Sequence, residues 1–106
     1  MDIFVLKQAE KELRDTPPEV RADVFALFEE LIAGRKLSMP ISRPLPSIAK
    51  GLHELRLSGR GGEYRVFYAI RVGDAIYVIH ATQKKTQGLD KKTIEIIKGR
   101  LRSVPL

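Results

Sequence analysis

The chain has 106 residues, 43% of them apolar and 30% charged, which describes one ordinary globular domain (1–106) and is too short for two hydrophobic cores. It has no cysteine and two well-separated histidines, so a disulfide framework and a thiolate or conventional zinc centre are excluded, and neither a metal nor a cofactor is expected. The net charge of +6 is unevenly spread: residues 50–106 hold 12 Lys/Arg against 5 Asp/Glu, while residues 1–49 hold 7 against 8. A clustered positive field favours a polyanionic partner through faster encounter and counterion release, and an acidic protein surface would satisfy the same field. The opening MDIFVLKQAEKEL brings charges too early for a secretory signal, and no run approaches the roughly 20 apolar residues of a membrane span. A cytoplasmic location without membrane association is therefore expected.

In chain order, Ile3 to Leu6 is a short β-prone start, of which Ile3 to Val5 is a candidate edge strand. Lys7 to Asp15 reads as a first helix with Ala9 and Leu13 inward. Thr16 followed by Pro17 and Pro18 predicts the start of a second helix, with the Thr hydroxyl as its cap. The apolar residues Val20, Val24, Leu27, Phe28, Leu31 and Ile32 fall on one 3.6-residue stripe, and Gly34 closes the helix after Ala33. Packing against a sheet explains that stripe. Prolines 40, 44 and 46 disfavour regular structure over Arg35 to Lys50, which reads as a surface linker. Three β-patterned runs then occupy Gly51 to Gln87, and Leu89 to Leu101 reads as a third helix, capped by Asp90, with Ile94, Ile97 and Leu101 on one stripe.

Register decides which side chains of the strands share a face. A two-residue turn in Val72-Gly73-Asp74-Ala75 predicts that Phe67 opposes His80 and Arg65 opposes Thr82. Tyr64, Val66, Tyr68 and Ile70 would then form an apolar face with Tyr77, Ile79 and Ala81 for the two N-terminal helices. A four-residue loop in the first hairpin would place Leu57 opposite Tyr64 and Arg56 opposite Arg65. Glu54, Arg56, Arg65, His80 and Thr82 would gather on the second face, where the third helix covers Phe67, Ala69, Ile76 and Val78 and leaves the Arg/His end open. Facing arginines repel across adjacent strands, so something must offset them. Either an anionic ligand or Glu54 beside them would do so. Lys84 and Lys85, just past the last strand, point their stems to the same end, whereas Lys91 and Lys92 read as solvated surface.

The runs GLHELR, EYRVFY and VIHATQKKTQ, followed by an amphipathic helix and preceded by a helical pair and a proline-containing linker, together resemble the phage-derived Gp49-like and HigB branch of the RelE/ParE toxin superfamily. The resemblance implies a small α+β fold: two N-terminal helices packed on a twisted, mainly antiparallel sheet of three to four strands, with a C-terminal helix at the other face. It implies a type II toxin, a ribosome-dependent mRNA endonuclease held inactive by a cognate antitoxin, often of helix-turn-helix type. Arg56, Arg65 and Lys84 match the family's basic catalytic positions, and these matches agree with the register derived from the strands. Metal-free attack of the ribose 2′-OH on the adjacent phosphorus would need Arg and Lys to stabilise transition-state charge, and a proton-transfer group. His80 is the candidate, with Glu54 and Lys84 as alternatives; Glu54, Arg60, Thr82 and Lys85 are expected to contact RNA. The chain departs from the best-known members in having no Tyr or His after His80. Two other readings share the fold: a ParE-like gyrase-inhibiting toxin without nuclease chemistry, and a non-toxic RNA-binding module.

Overall fold

The computed structural model describes residues 1–85 and 87–105, with the Val72 side chain outside the description. Its elements are β1 (Asp2–Val5), α1 (Lys7–Arg14), α2 (Pro18–Ile32), β2 (Ser42–Pro44), β3 (Leu52–Gly59), β4 (Gly62–Ile70), β5 (Ala75–Gln83) and α3 (Lys91–Leu101). The strands form one five-stranded sheet in the order β1-β5-β4-β3-β2, antiparallel except for the parallel β1–β5 pair. This is the expected α+β architecture with one strand more than the upper count. The extra strand is β2, inside the segment read as irregular. Pro44 can sit there because an edge strand leaves one side unpaired, and a missing N–H on that side breaks no ladder.

The sheet is covered on both faces. Ala9 and Leu13 of α1 and Val20, Val24, Phe28 and Leu31 of α2 pack on Leu55, Leu57, Tyr64, Val66 and Tyr68. On the opposite face Ile97 of α3 is fully buried against a cluster containing Leu45, Leu52, Phe67, Ala69 and Ile79. Asp90 caps α3 by accepting a 2.7 Å bond from the Thr93 N–H. Thr16 does not cap α2. Its hydroxyl donates instead to the Leu13 carbonyl at 2.6 Å, finishing α1, while Pro17 occupies the N-cap of α2 with no side-chain cap. Gly34 stops the helix at φ +85°, as its position predicted.

Register holds at the charged end and shifts at the other. Arg56 opposes Arg65, Leu57 opposes Tyr64, Arg65 opposes Thr82 and Phe67 opposes His80. The first hairpin is tighter than expected, with Gly59 paired to Gly62. The second loop has three residues, Val72–Asp74, so that Arg71 and not Val72 faces Ala75, its N–H donating to the Ala75 carbonyl at 2.8 Å. A bulge at Ile79 takes up the difference: Phe67 faces His80, but Tyr68 faces Val78. Beyond that bulge the faces exchange. Ile76 and Val78 pack toward α1 and α2, while Tyr77 and Ile79 pack on the α3 side, the reverse of the assignment made from a two-residue turn. Tyr77 stacks there on Phe4 of β1 with centroids 5.2 Å apart. No helix among the described residues is long and apolar enough to cross a membrane.

Candidate RNA-binding face

Three cross-strand rows lie on the α3 side of the sheet, towards the tight hairpin. The first is Glu54–Phe67–His80, the second Arg56–Arg65–Thr82, and the third begins with Ser58–Glu63. Lys84 extends the third row: its N–H donates to the Glu63 carbonyl at 2.7 Å, and its Nζ lies 3.2 Å from Glu63 Oε2. Alternation along the strands places these side chains together.

Glu54 is 2% exposed and lies between both arginines, with Oε1 at 3.3 Å from Arg56 Nε and Oε2 at 3.2 Å from Arg65 Nε. One carboxylate therefore offsets part of the repulsion between two guanidiniums, leaving the trio with an excess positive charge. The two arginines differ in environment. The Arg65 side chain is buried and donates from Nη1 to the Gly88 carbonyl at 3.0 Å and from Nη2 to the Gln87 carbonyl at 3.1 Å. Arg56 keeps about a third of its side chain exposed. Arg65 thus holds the segment after β5 in place, while Arg56 faces solvent.

Arg56, Arg65 and Lys84 line one cleft of about 330 Å³, walled by Pro40 and Ile41 on the β2 side and by Ser58, Glu63 and Tyr64 on the hairpin. A second cleft of about 250 Å³ lies on the other side of Arg65, between β5 and the start of α3, and is lined by His80, Thr82, Lys85, Lys92 and Thr93. The strand register therefore brings Arg56, Arg65 and Lys84 to one opening, and His80, Thr82 and Lys85 to its neighbour. Arg60 belongs to neither lining. It is exposed at the hairpin tip and pairs with Glu19 of α2 at 3.5 Å. Lys92, read as solvated surface, lines the second cleft. Tyr64, read only as core, also borders the first and donates its hydroxyl to the Arg60 carbonyl at 2.6 Å.

His80 is 5% exposed and its ring stacks on Phe67 with an interplanar angle of 12°. Its Nδ1 lies 2.9 Å from Glu12 Oε1 on α1. Glu12 also accepts from Arg100 of α3 at 2.7 and 2.9 Å and from the Ala81 N–H at 3.2 Å. Burial opposes ionisation of Glu12, but bonds from His80, Arg100 and Ala81 outweigh it and hold the carboxyl at about 2, below the usual 4.5. No local pattern in the sequence pointed to Glu12 or Arg100, because 68 and 20 residues separate them from His80. Among the described residues no group of three or more His, Asp or Glu side chains is placed to hold a metal ion.

The model of the family described as phage-derived protein Gp49-like matches residues 11–102. No curated protein matches the chain. Among solved structures, the toxin–antitoxin complex RelBE2 from Mycobacterium tuberculosis is similar with a TM-score of 0.55 and 19% identity, covering 78% of this chain and 96% of that one. An arginine double mutant of the E. coli toxin RelE in the free state has a TM-score of 0.54 and 15% identity, covering 98% and 97%. At these identities the likeness is one of fold.

Proposed function

Because the chain belongs to the phage-derived Gp49-like family, we propose that it is the toxin of a type II toxin–antitoxin pair and an endoribonuclease acting on mRNA as the ribosome translates it. The observation that carries this reading is the meeting of Arg56, Arg65 and Lys84 on one cleft above a buried carboxylate. In the proposed reaction the ribose 2′-OH attacks the adjacent phosphorus. The P–O2′ bond forms, the P–O5′ bond breaks, and the products are a cyclic phosphate and a 5′-OH. Negative charge grows on the phosphate oxygens, where cationic donors already in place stabilise it without reorganising. Arg56 offers the more accessible planar fork, able to bond two oxygens at once, and Lys84 adds a point charge. Arg65 joins them while securing the segment behind Lys84. His80 is the proposed proton-transfer group: the 2′-OH gives up its proton as the P–O2′ bond forms, the departing O5′ gains one, and Arg65, which lines both clefts, joins the His80 side to the cationic side. Glu54 keeps the guanidiniums aligned, Thr82 and Lys85 follow the strand in the neighbouring cleft, and Arg60 meets its backbone farther out. The ribosome supplies orientation of the mRNA, which by itself lowers the barrier. The partner in the pair is a cognate antitoxin of helix-turn-helix type, and the toxin works in the cytoplasm, where its substrate is translated.

The test is controlled expression followed by mapping of mRNA 5′ ends, beside Arg56→Ala and Arg65→Ala chains. New cuts within translated regions that vanish with Arg56→Ala are expected. Cuts unchanged in both variants would sink the proposed site. Growth arrest without cuts would replace the nuclease by a gyrase-inhibiting toxin, and no arrest would leave an RNA-binding module.

A further inference from the structure

Beyond the basic residues, the structure holds a histidine fixed by a carboxylate from a distant helix. We infer that Glu12 is a positioning residue that orients His80 for proton transfer, with Nδ1 turned to the carboxylate and Nε2 left to work in the second cleft. The inference rests on the nuclease reading and adds a residue to it.

The edge of β5 makes the arrangement possible. β1 pairs with β5 only as far as Val78, so among the described residues the rest of β5 has no neighbour strand on that side. Here the bulge presents polar backbone groups, and side chains take the place of a strand. Glu12 accepts the Ala81 N–H at 3.2 Å, and Arg100 donates to the Ile79 carbonyl at 3.0 Å. The same guanidinium makes two further bonds to Glu12, at 2.7 and 2.9 Å. The carboxylate is thus held by donors from β5 and α3 while its own stem belongs to α1, and it has little freedom to follow another partner.

An ionised carboxylate can only accept, so the 2.9 Å contact places a proton on His80 Nδ1. Arg100 also only donates. Its 3.2 Å approach to Nδ1 is therefore a close contact, and its N–H groups are used on Glu12 and Ile79. Stacking on Phe67 fixes the ring plane, and Glu12 fixes the remaining rotation and the tautomer. In the neutral ring Nε2 then carries the lone pair, and His80 lines the same cleft as Arg65 and Thr82. Carboxylate–histidine pairs that move protons share this arrangement, in which the carboxylate holds the ring's orientation and tautomer.

The tautomer is read by long-range ¹H–¹⁵N correlation of the histidine rings, and cleavage is read as kcat and KM on ribosome-bound mRNA. The unaltered chain is expected to carry the neutral-ring proton on Nδ1, and Glu12→Ala to release it to Nε2. In Glu12→Ala kcat should fall about 10- to 100-fold with KM changed less than about twofold, since the effect acts on proton transfer and not on RNA affinity. In a His80→Ala background the same substitution should cost nothing more. Where Glu12→Ala unfolds, Glu12→Gln keeps the shape and an acceptor for Nδ1 but not the charge, so kcat should still fall while thermal melting stays cooperative. A proton on Nε2 in the unaltered chain, or an equal loss from Glu12→Ala with and without His80, would overturn the inference. Full cleavage by His80→Ala together with none by Arg56→Ala would also overturn it while leaving the nuclease standing. Absence of cleavage by the unaltered chain would overturn the nuclease reading itself.

Discussion

Glu54 sits almost fully buried between two arginines that face each other across adjacent strands, so its removal leaves a buried guanidinium without its carboxylate. Breaking a buried ion pair from one side costs about 3 kcal/mol or more, because the remaining charge keeps its desolvation penalty. Glu54→Ala is therefore expected to lower the urea midpoint of unfolding by a corresponding amount. Inorganic phosphate should restore more of the melting temperature in that variant than in the unaltered chain, and equal gains in both would count against an anion-binding cleft. Glu12 gives the fold a pH-dependent stability. Its folded-state pKa, about 2, lies below the ordinary 4.5, so its stabilisation is present above about 4.5 and is lost as pH falls from there towards 2. A gap of that size corresponds to about 3 kcal/mol. Glu12→Gln should be less stable than the unaltered chain near neutrality, with the difference shrinking on acidification below pH 4.5; urea unfolding across that range checks it.

At the scale of elements, the strands show what periodicity can and cannot read. Arg56, Arg65 and Thr82 fell in their correct row because polar residues mark the phase of the alternation there. Ile76, Tyr77, Val78 and Ile79 are all apolar, and a period of two carries no phase across such a run, so the bulge and the exchange of faces had no signature. Thr16 was misassigned for another reason: its hydroxyl had two helix ends within reach, and the carbonyl left open at the end of α1 took it. Between β3 and the turn before it, Gly51 adopts φ +78°, and a Cβ there would stand 2.6 Å from the Ile70 carbonyl oxygen. Gly51→Ala should destabilise the β3–β4 pair by about 1–3 kcal/mol, since backbone on one side and strain on the other leave no relaxation. Loss of amide-exchange protection in Leu52–Gly59 and Gly62–Ile70 ahead of α2 would show it, and unchanged stability would mean the backbone can move aside.

For the whole molecule, the division of charge is the property that reaches farthest. Residues 1–49 are close to neutral and supply β1, α1, α2 and β2; residues 50–106 carry the whole positive excess and supply every charged side chain that lines the two clefts. If Arg56, Arg65 and Lys84 each neutralise one phosphate, RNA affinity should fall with salt at a log–log slope of about −2, as expected for three contacts to a single strand. Fluorescence anisotropy with a short RNA checks this. Arg56→Ala should flatten the slope, and a slope near zero would show that the clefts do not hold phosphate.

The helices, the pairing of the two central hairpins, the basic row and the family resemblance were all legible in the residues alone, because each depends on local periodicity or on residue types at short spacing. Glu54 beside its arginines was legible for the same reason, two positions from Arg56 on one strand. How the face is assembled depends on the folded chain. It placed a bulge in an apolar run, divided the expected site into two clefts about Arg65, and turned Tyr77 to the α3 side. It also brought Glu12 and Arg100 from opposite ends of the chain to His80. Those contacts arise where β1 ends short of the bulge and leaves backbone donors and acceptors to be satisfied, a requirement that exists only once the sheet has formed.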